Sequence, residues 1–92
     1  MKIIAYDRFK PGVAMDTIQP LRPLEVANVL RLWKAGILRA NYARADEPGV
    51  VIVFELDSVE QAKRYVADFP CRRQVIWNGF TSRYKHRCRL RA

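Results

Sequence analysis

Ninety-two residues, half of them apolar and 28% charged, are enough for one hydrophobic core and too few for two, so a single domain spanning 1–92 is expected. No run approaches the roughly 18 apolar residues of a membrane span, and the N-terminus MKIIAYDRFKPG has neither the apolar stretch nor the small-residue cleavage site of a signal peptide, which points to a cytoplasmic protein. The net charge of +8 is unevenly placed: residues 1–70 carry 10 Lys or Arg against 9 Asp or Glu, and the cations after Pro70 face no acid at all.

The segment Lys2 to Phe9 mixes Ile3, Ile4, Ala5, Tyr6 and Phe9 without a helical period and stops at Lys10-Pro11-Gly12, which reads as a strand ending in a turn. A connection from Gly12 to Leu21 follows. Beyond Pro23, the apolar positions Val26, Ala27, Leu30 and Trp33 recur at three- and four-residue steps, so a helix is predicted with Pro23 in its first turn and Gly36 at its end.

Two β-rich runs come next, ILRANYARA and GVVIVFELD, separated by Asp46-Glu47-Pro48-Gly49. That separator is turn chemistry, and a four-residue loop sets Tyr42 opposite Val53, Arg44 opposite Val51 and Ala40 opposite Glu55. One hairpin face then carries Tyr42, Arg44, Val51, Val53 and Glu55, the other Arg39, Asn41, Ala43, Ile52 and Phe54. The run VVIVF is apolar on both faces, whereas so short a chain has helices for only one. A second copy is the simplest cover for the other, and a homodimer or higher homo-oligomer is expected.

Ser58-Val59-Glu60-Gln61 has the form of a capping box, followed by a stripe of Val59, Ala62, Val66 and Phe69 that Pro70 closes. A last strand is predicted from Gln74 to Phe80. From Arg83 to Arg91 the cations Arg83, Lys85, Arg87, Arg89 and Arg91 alternate with Tyr84, His86, Cys88 and Leu90, the pattern of a two-faced basic strand. The fold class is therefore α+β, with the βαββαβ order of a ferredoxin-like antiparallel sheet bearing two helices on one face.

The residues GILRANYAR (Gly36 to Arg44), Ala45-Asp46, Pro48-Gly49 leading into VVIVFELDS, and Phe69-Pro70 also resemble the muconolactone isomerase-like family of the dimeric α+β barrel superfamily. Members of that family commonly show a Tyr-x-Arg-x-Asp hairpin, met here by Tyr42, Arg44 and Asp46, and a Glu near the end of strand three, met by Glu55. Phe69-Pro70-Cys71 stands where Leu-Pro-Leu is usual. The resemblance implies a barrel-like dimer with a pocket in each protomer between sheet and helices. The superfamily hosts isomerases, polyketide cyclases and haem-handling enzymes, so fold alone does not fix the activity.

Candidate chemistry follows from what the chain contains. No nucleophile triad, phosphate-binding Gly loop or metal-ligand cluster is visible, and Cys71 and Cys88 have no CxxC or Cys/His spacing, so no metal and no cofactor are expected. General acid–base catalysis needs none. Glu55 is a candidate base, Tyr42 a donor and Arg44 an anchor for a substrate carboxylate; the bland alternative is an Arg–Glu bridge or polar groups in a dimer contact. His86, the only histidine, titrates in the right range and stands beside Tyr84, although a lone His on a strand face is commonly structural. Tyr6 is a candidate pocket residue. Trp33 and Trp77 suit the core, with Trp77 carried also as a substrate-binding candidate.

The function these residues predict is an isomerase, cyclase or dehydratase acting on a small enolisable lactone or polyketide-type intermediate. Two alternatives are a non-catalytic oligomeric module that binds a small ligand or a partner, and a haem-handling protein using His86, Asn78 and Trp77. Nucleic acid is not an expected partner: the basic strand lacks a reading motif and fits a charged edge that discourages edge-to-edge pairing.

Overall fold

The computed structural model describes residues 1–81, and the predicted basic strand 83–91 lies outside them. Their order is β1 (Lys2–Phe9), α1 (Met15–Ile18), a 3₁₀ turn (Gln19–Leu21), α2 (Arg22–Lys34), β2 (Leu38–Ala43), β3 (Val50–Glu55), α3 (Val59–Val66) and β4 (Val75–Thr81). The strands form one antiparallel sheet in the order β2-β3-β1-β4, the ferredoxin-like arrangement, with helices on one face.

Period-2 alternation sorts the residues of the central strands. Ile3, Ala5, Ile52 and Phe54 point to the helices and are buried with Leu32, Leu38, Ala62, Val66 and Phe69. Ile4, Tyr6, Val51 and Val53 have the opposite parity and face away from the helices. Ser58 caps α3 as predicted: its Oγ accepts from the Gln61 N–H (3.2 Å), while Gln61 Oε1 accepts from the Asp57 N–H (2.8 Å). The α3 stripe of Ala62 and Val66, continued by Phe69 beyond the helix, is buried as expected.

Three expectations are corrected. The connection 12–21 is not plain loop but forms α1 and the 3₁₀ turn. In α2 the inward side chains are Leu32, packed in the core, Val29 against it, and Glu25, whose carboxylate accepts from the Cys71 N–H (2.8 Å); Val26, Leu30 and Trp33 are exposed, Trp33 by 57%. The hairpin register is also shifted by two residues, with Tyr42 opposite Val51 and Ala43 opposite Val50. The cause is local capture of backbone and side chains in the loop. Asp46 grips the Arg44 guanidinium (Nε–Oδ1 3.0 Å, Nη2–Oδ2 2.6 Å) and also accepts from the Glu47 N–H (3.0 Å), so the loop takes in Arg44 and Ala45. A second irregularity at Arg39 returns Leu38 to the buried face opposite Phe54.

Gly49 holds the hairpin against β1. It has φ 156°, and a Cβ there would collide with the Asp7 carbonyl oxygen. At Gly79 the added atom would instead meet the edge of the Tyr6 ring, 2.7 Å from Cε1. Main chain cannot step aside, whereas a partly exposed ring can. Gly49→Ala is therefore expected to cost at least about 2 kcal/mol in urea unfolding and Gly79→Ala about 1 kcal/mol or less; equal costs would contradict this account of the hairpin.

Candidate functional site

The helix face of the sheet is only partly filled. Core packing covers one end, where Phe54 stacks with Tyr65 and Trp77 meets Phe69 edge-on. Towards the other end, α1 and the first turns of α2 stand off the strands and leave a cavity of about 430 Å³. That lies within the rough 300–1,000 Å³ span of small-molecule sites. Its walls are mainly apolar, with Phe9, Met15, Ile18, Val29, Val50 and Val75 among them, and its polar groups are Asp7, Arg22, Glu25, Asn41 and Cys71.

Asp7 is the distinctive group. Following Ile3 and Ala5 on the inward face of β1, it is only 5% exposed. Its Oδ1 accepts from the Val50 N–H (2.8 Å), and its main-chain oxygen accepts from Arg44 Nη1 (3.0 Å); the second carboxyl oxygen has no partner among the described residues. Burial pushes the carboxyl up to about 6, helped by the nearby Glu25 charge and opposed by the Val50 bond and the Arg44 cation. A carboxyl poised there exchanges a proton near neutral pH, as a general acid or base must.

The other polar groups define what surrounds it. Glu25 is tied to the Cys71 amide, and the Cys71 thiol is pushed up to about 12 by burial, by Glu25 and by Asp7, which keeps it protonated and removes it as a nucleophile. Arg22, at the start of α2, is the cation lining the cavity and makes no hydrogen bond or ion pair among the described residues. No group of three or more His, Cys, Asp or Glu side chains suited to a metal occurs among those residues.

Of the residues singled out from the sequence, Tyr6, Tyr42, Arg44, Glu55 and Trp77 do not line this cavity. Tyr42, 61% exposed, and Tyr6 lie on the opposite, open face, where the Arg44 guanidinium sits 5.4 Å from the centre of the Tyr6 ring. Glu55 is on that face too, ion-paired with the Met1 amine (2.9 Å), whose hydrogen bond holds its carboxyl below the usual range. Tyr42 pairs with Val51, four residues from Glu55, which separates the two by about 13 Å along the strand. Trp77 is packed between Phe69 and Phe80 with its buried Nε1 unpartnered among the described residues, and Asn78 Oδ1 accepts from Arg8 Nε (3.2 Å). His86 and Tyr84 lie outside the described residues.

The raised Asp7 carboxyl has a consequence for stability. An acid near 3.8 when unfolded and about 6 when folded binds more protons in the native state between those values, so its contribution favours folding at low pH and is lost as pH rises through 6. Lowered carboxyls such as Asp46 and Glu55 act in the opposite sense, so the difference between wild type and Asp7→Asn isolates the term. Urea unfolding from pH 4 to 7 should show Asp7→Asn gaining on wild type by up to about 3 kcal/mol as pH rises. A constant difference would mean Asp7 is not a buried, late-titrating acid.

No family model matches the chain, and no curated protein sequence matches it significantly. Among solved structures it is similar to 5-chloro-2-hydroxyhydroquinone dehydrochlorinase (TftG) from Burkholderia phenoliruptrix AC1100, determined in complex with 2,5-dihydroxybenzoquinone, with a TM-score of 0.71 at 17% sequence identity. The match covers 94% of this chain and 95% of that one, so the likeness is one of whole fold.

Proposed function

We propose that the protein is a cofactor-independent enzyme that moves a proton on a small, largely apolar, enolisable compound held between the sheet and α2, with Asp7 as the proton carrier. The observation that carries this reading is the Asp7 carboxyl itself, buried in an apolar cavity and held by one oxygen, an environment that pushes it up to about 6. The TftG likeness supports small-molecule chemistry on this fold, and the sequence resemblance favours the muconolactone isomerase-like family and a lactone or polyketide-type substrate.

In the reaction envisaged, the Asp7 carboxylate takes a proton from a carbon beside a carbonyl, and the electron pair passes to the carbonyl oxygen. Asn41 and Arg22 are the cavity groups able to donate to that oxygen. Return of the proton at a different carbon completes an isomerisation; in a dehydration the carbonyl re-forms, the β-carbon–oxygen bond breaks, and the departing hydroxide takes the proton from Asp7 and leaves as water, which regenerates the carboxylate. Because the acids Asp7 and Glu25 repel an anion, a negatively charged substituent would lie towards Arg22, which fixes the orientation of the substrate. Half-buried Ile4, Val51 and Val53 on the open face fit a homodimer that covers it.

Hydrogen–deuterium exchange of an enolisable lactone in D2O, followed by NMR, tests the assignment without knowledge of the natural product. The wild-type rate should rise with pH to a plateau above about 6, and Asp7→Asn should lower it at least about 100-fold. Glu55→Gln and His86→Ala serve as parallel arms: loss in those two with an unimpaired Asp7→Asn would move the chemistry to the hairpin and the C-terminal strand. For a carboxylate-bearing lactone, Arg22→Ala should raise KM about tenfold or more and leave a neutral lactone unaffected.

A further inference from the structure

We infer that Arg44 is a positioning residue for Asp7, gripping the β1 main chain from the open side of the sheet while the hairpin amide of Val50 grips the carboxyl from the cavity side. The regular β1–β3 register runs to the Tyr6–Val51 pair. At the next step, two side chains supply the links between the strands: Val50 N–H donates to Asp7 Oδ1 (2.8 Å), and Arg44 Nη1 donates to the Asp7 carbonyl oxygen (3.0 Å). Asp7 is thus held by both its main chain and its carboxyl, each from a residue of the same hairpin.

Arg44 is itself immobilised in a way a hairpin-loop arginine seldom is. Its side chain is 13% exposed. Asp46 takes Nε and Nη2 in a two-pronged hold, the Tyr6 ring lies under the guanidinium, and the same ring rests on Gly79, where any Cβ would push it up. The Arg44 N–H also bonds the Gly49 carbonyl (2.9 Å), and Gly49 is the residue whose missing Cβ admits the Asp7 carbonyl. Gly49 therefore takes part both in holding the Arg44 backbone and in the approach of the hairpin to Asp7. A lysine would keep the charge and lose the fork.

The charged and titratable groups around the Asp7 carboxyl are Glu25 and Arg22 from α2, the Cys71 thiol and Arg44 from the hairpin. Glu25 disfavours the carboxylate and Arg44 favours it. The role of Arg44 rests on Asp7 as the functional acid, yet it can be read directly from that carboxyl with no turnover.

The experiment is a ¹³C NMR titration of the Asp7 carboxyl in the full chain for wild type, Arg44→Gln, Arg44→Lys and Asp46→Asn, with thermal unfolding of each. The Arg44→Gln midpoint should move up by roughly half a unit or more, Asp46→Asn in the same direction by less, and Arg44→Lys least. A purely structural Arg44 would lower the unfolding temperature and leave the midpoint in place, which overturns the inference. If Arg44→Gln does not fold, unmoved midpoints in both Arg44→Lys and Asp46→Asn overturn it equally. A shifted midpoint together with full exchange activity in Asp7→Asn would leave the positioning intact and remove the enzymatic reading instead.

Discussion

The hydrogen bond from the Val50 amide to the Asp7 carboxyl is the contact on which the cavity end of the molecule depends. Without a donor, a carboxyl 5% exposed among apolar side chains would carry an uncompensated desolvation cost of several kcal/mol. One amide meets part of that cost and no more, so burial still pushes the carboxyl up to about 6. Gly49 makes the bond reachable, Arg44 holds the main chain at the same residue, and the shifted hairpin register follows from the loop that brings them there.

The two faces of the sheet divide their work by parity. Inward residues of β1 and β3 form the core until Asp7, where the core gives way to the cavity. Among the described residues, no helix lies above the outward Tyr6, Tyr42, Val51 and Val53. Arg44 belongs to both regions, since its guanidinium lies on the Tyr6 ring and its Nη1 reaches the Asp7 backbone. Under the proposed dimer, a partner on the open face would rest on the residues that stiffen the cavity acid.

Much of the fold was legible in the sequence because it is written in local periods and caps. The bounds of β1, the Ser58 cap and the α3 stripe all follow from side-chain alternation and short-range hydrogen bonding. The register of the hairpin was not, because Asp46 turns back on Arg44, an interaction that depends on how the loop closes. The rotation of α2 was also hidden: apolar spacing favours the Val26–Leu30–Trp33 side, yet Leu32 is the residue buried in the core, Glu25 bonds the Cys71 amide, and Val26 and Leu30 border the cavity. Asp7 had a readable signal, an acid in step with Ile3 and Ala5 on the face destined for the core. Polar residues clustered on the hairpin point to Tyr42, Arg44 and Glu55, which the fold places on the open face, whereas the reach of Arg44 through to the Asp7 carbonyl depends on how the loop closes and has no local signal.

In the proposed function, ligands enter between the sheet and α2. Amide chemical-shift mapping with 2,5-dihydroxybenzoquinone, the molecule bound in the TftG structure, tests it most directly. Shifts should concentrate at Asp7, Glu25, Val29, Asn41 and Val50. Saturable shifts confined to Tyr42, Val53 and Glu55 on the open face would contradict it.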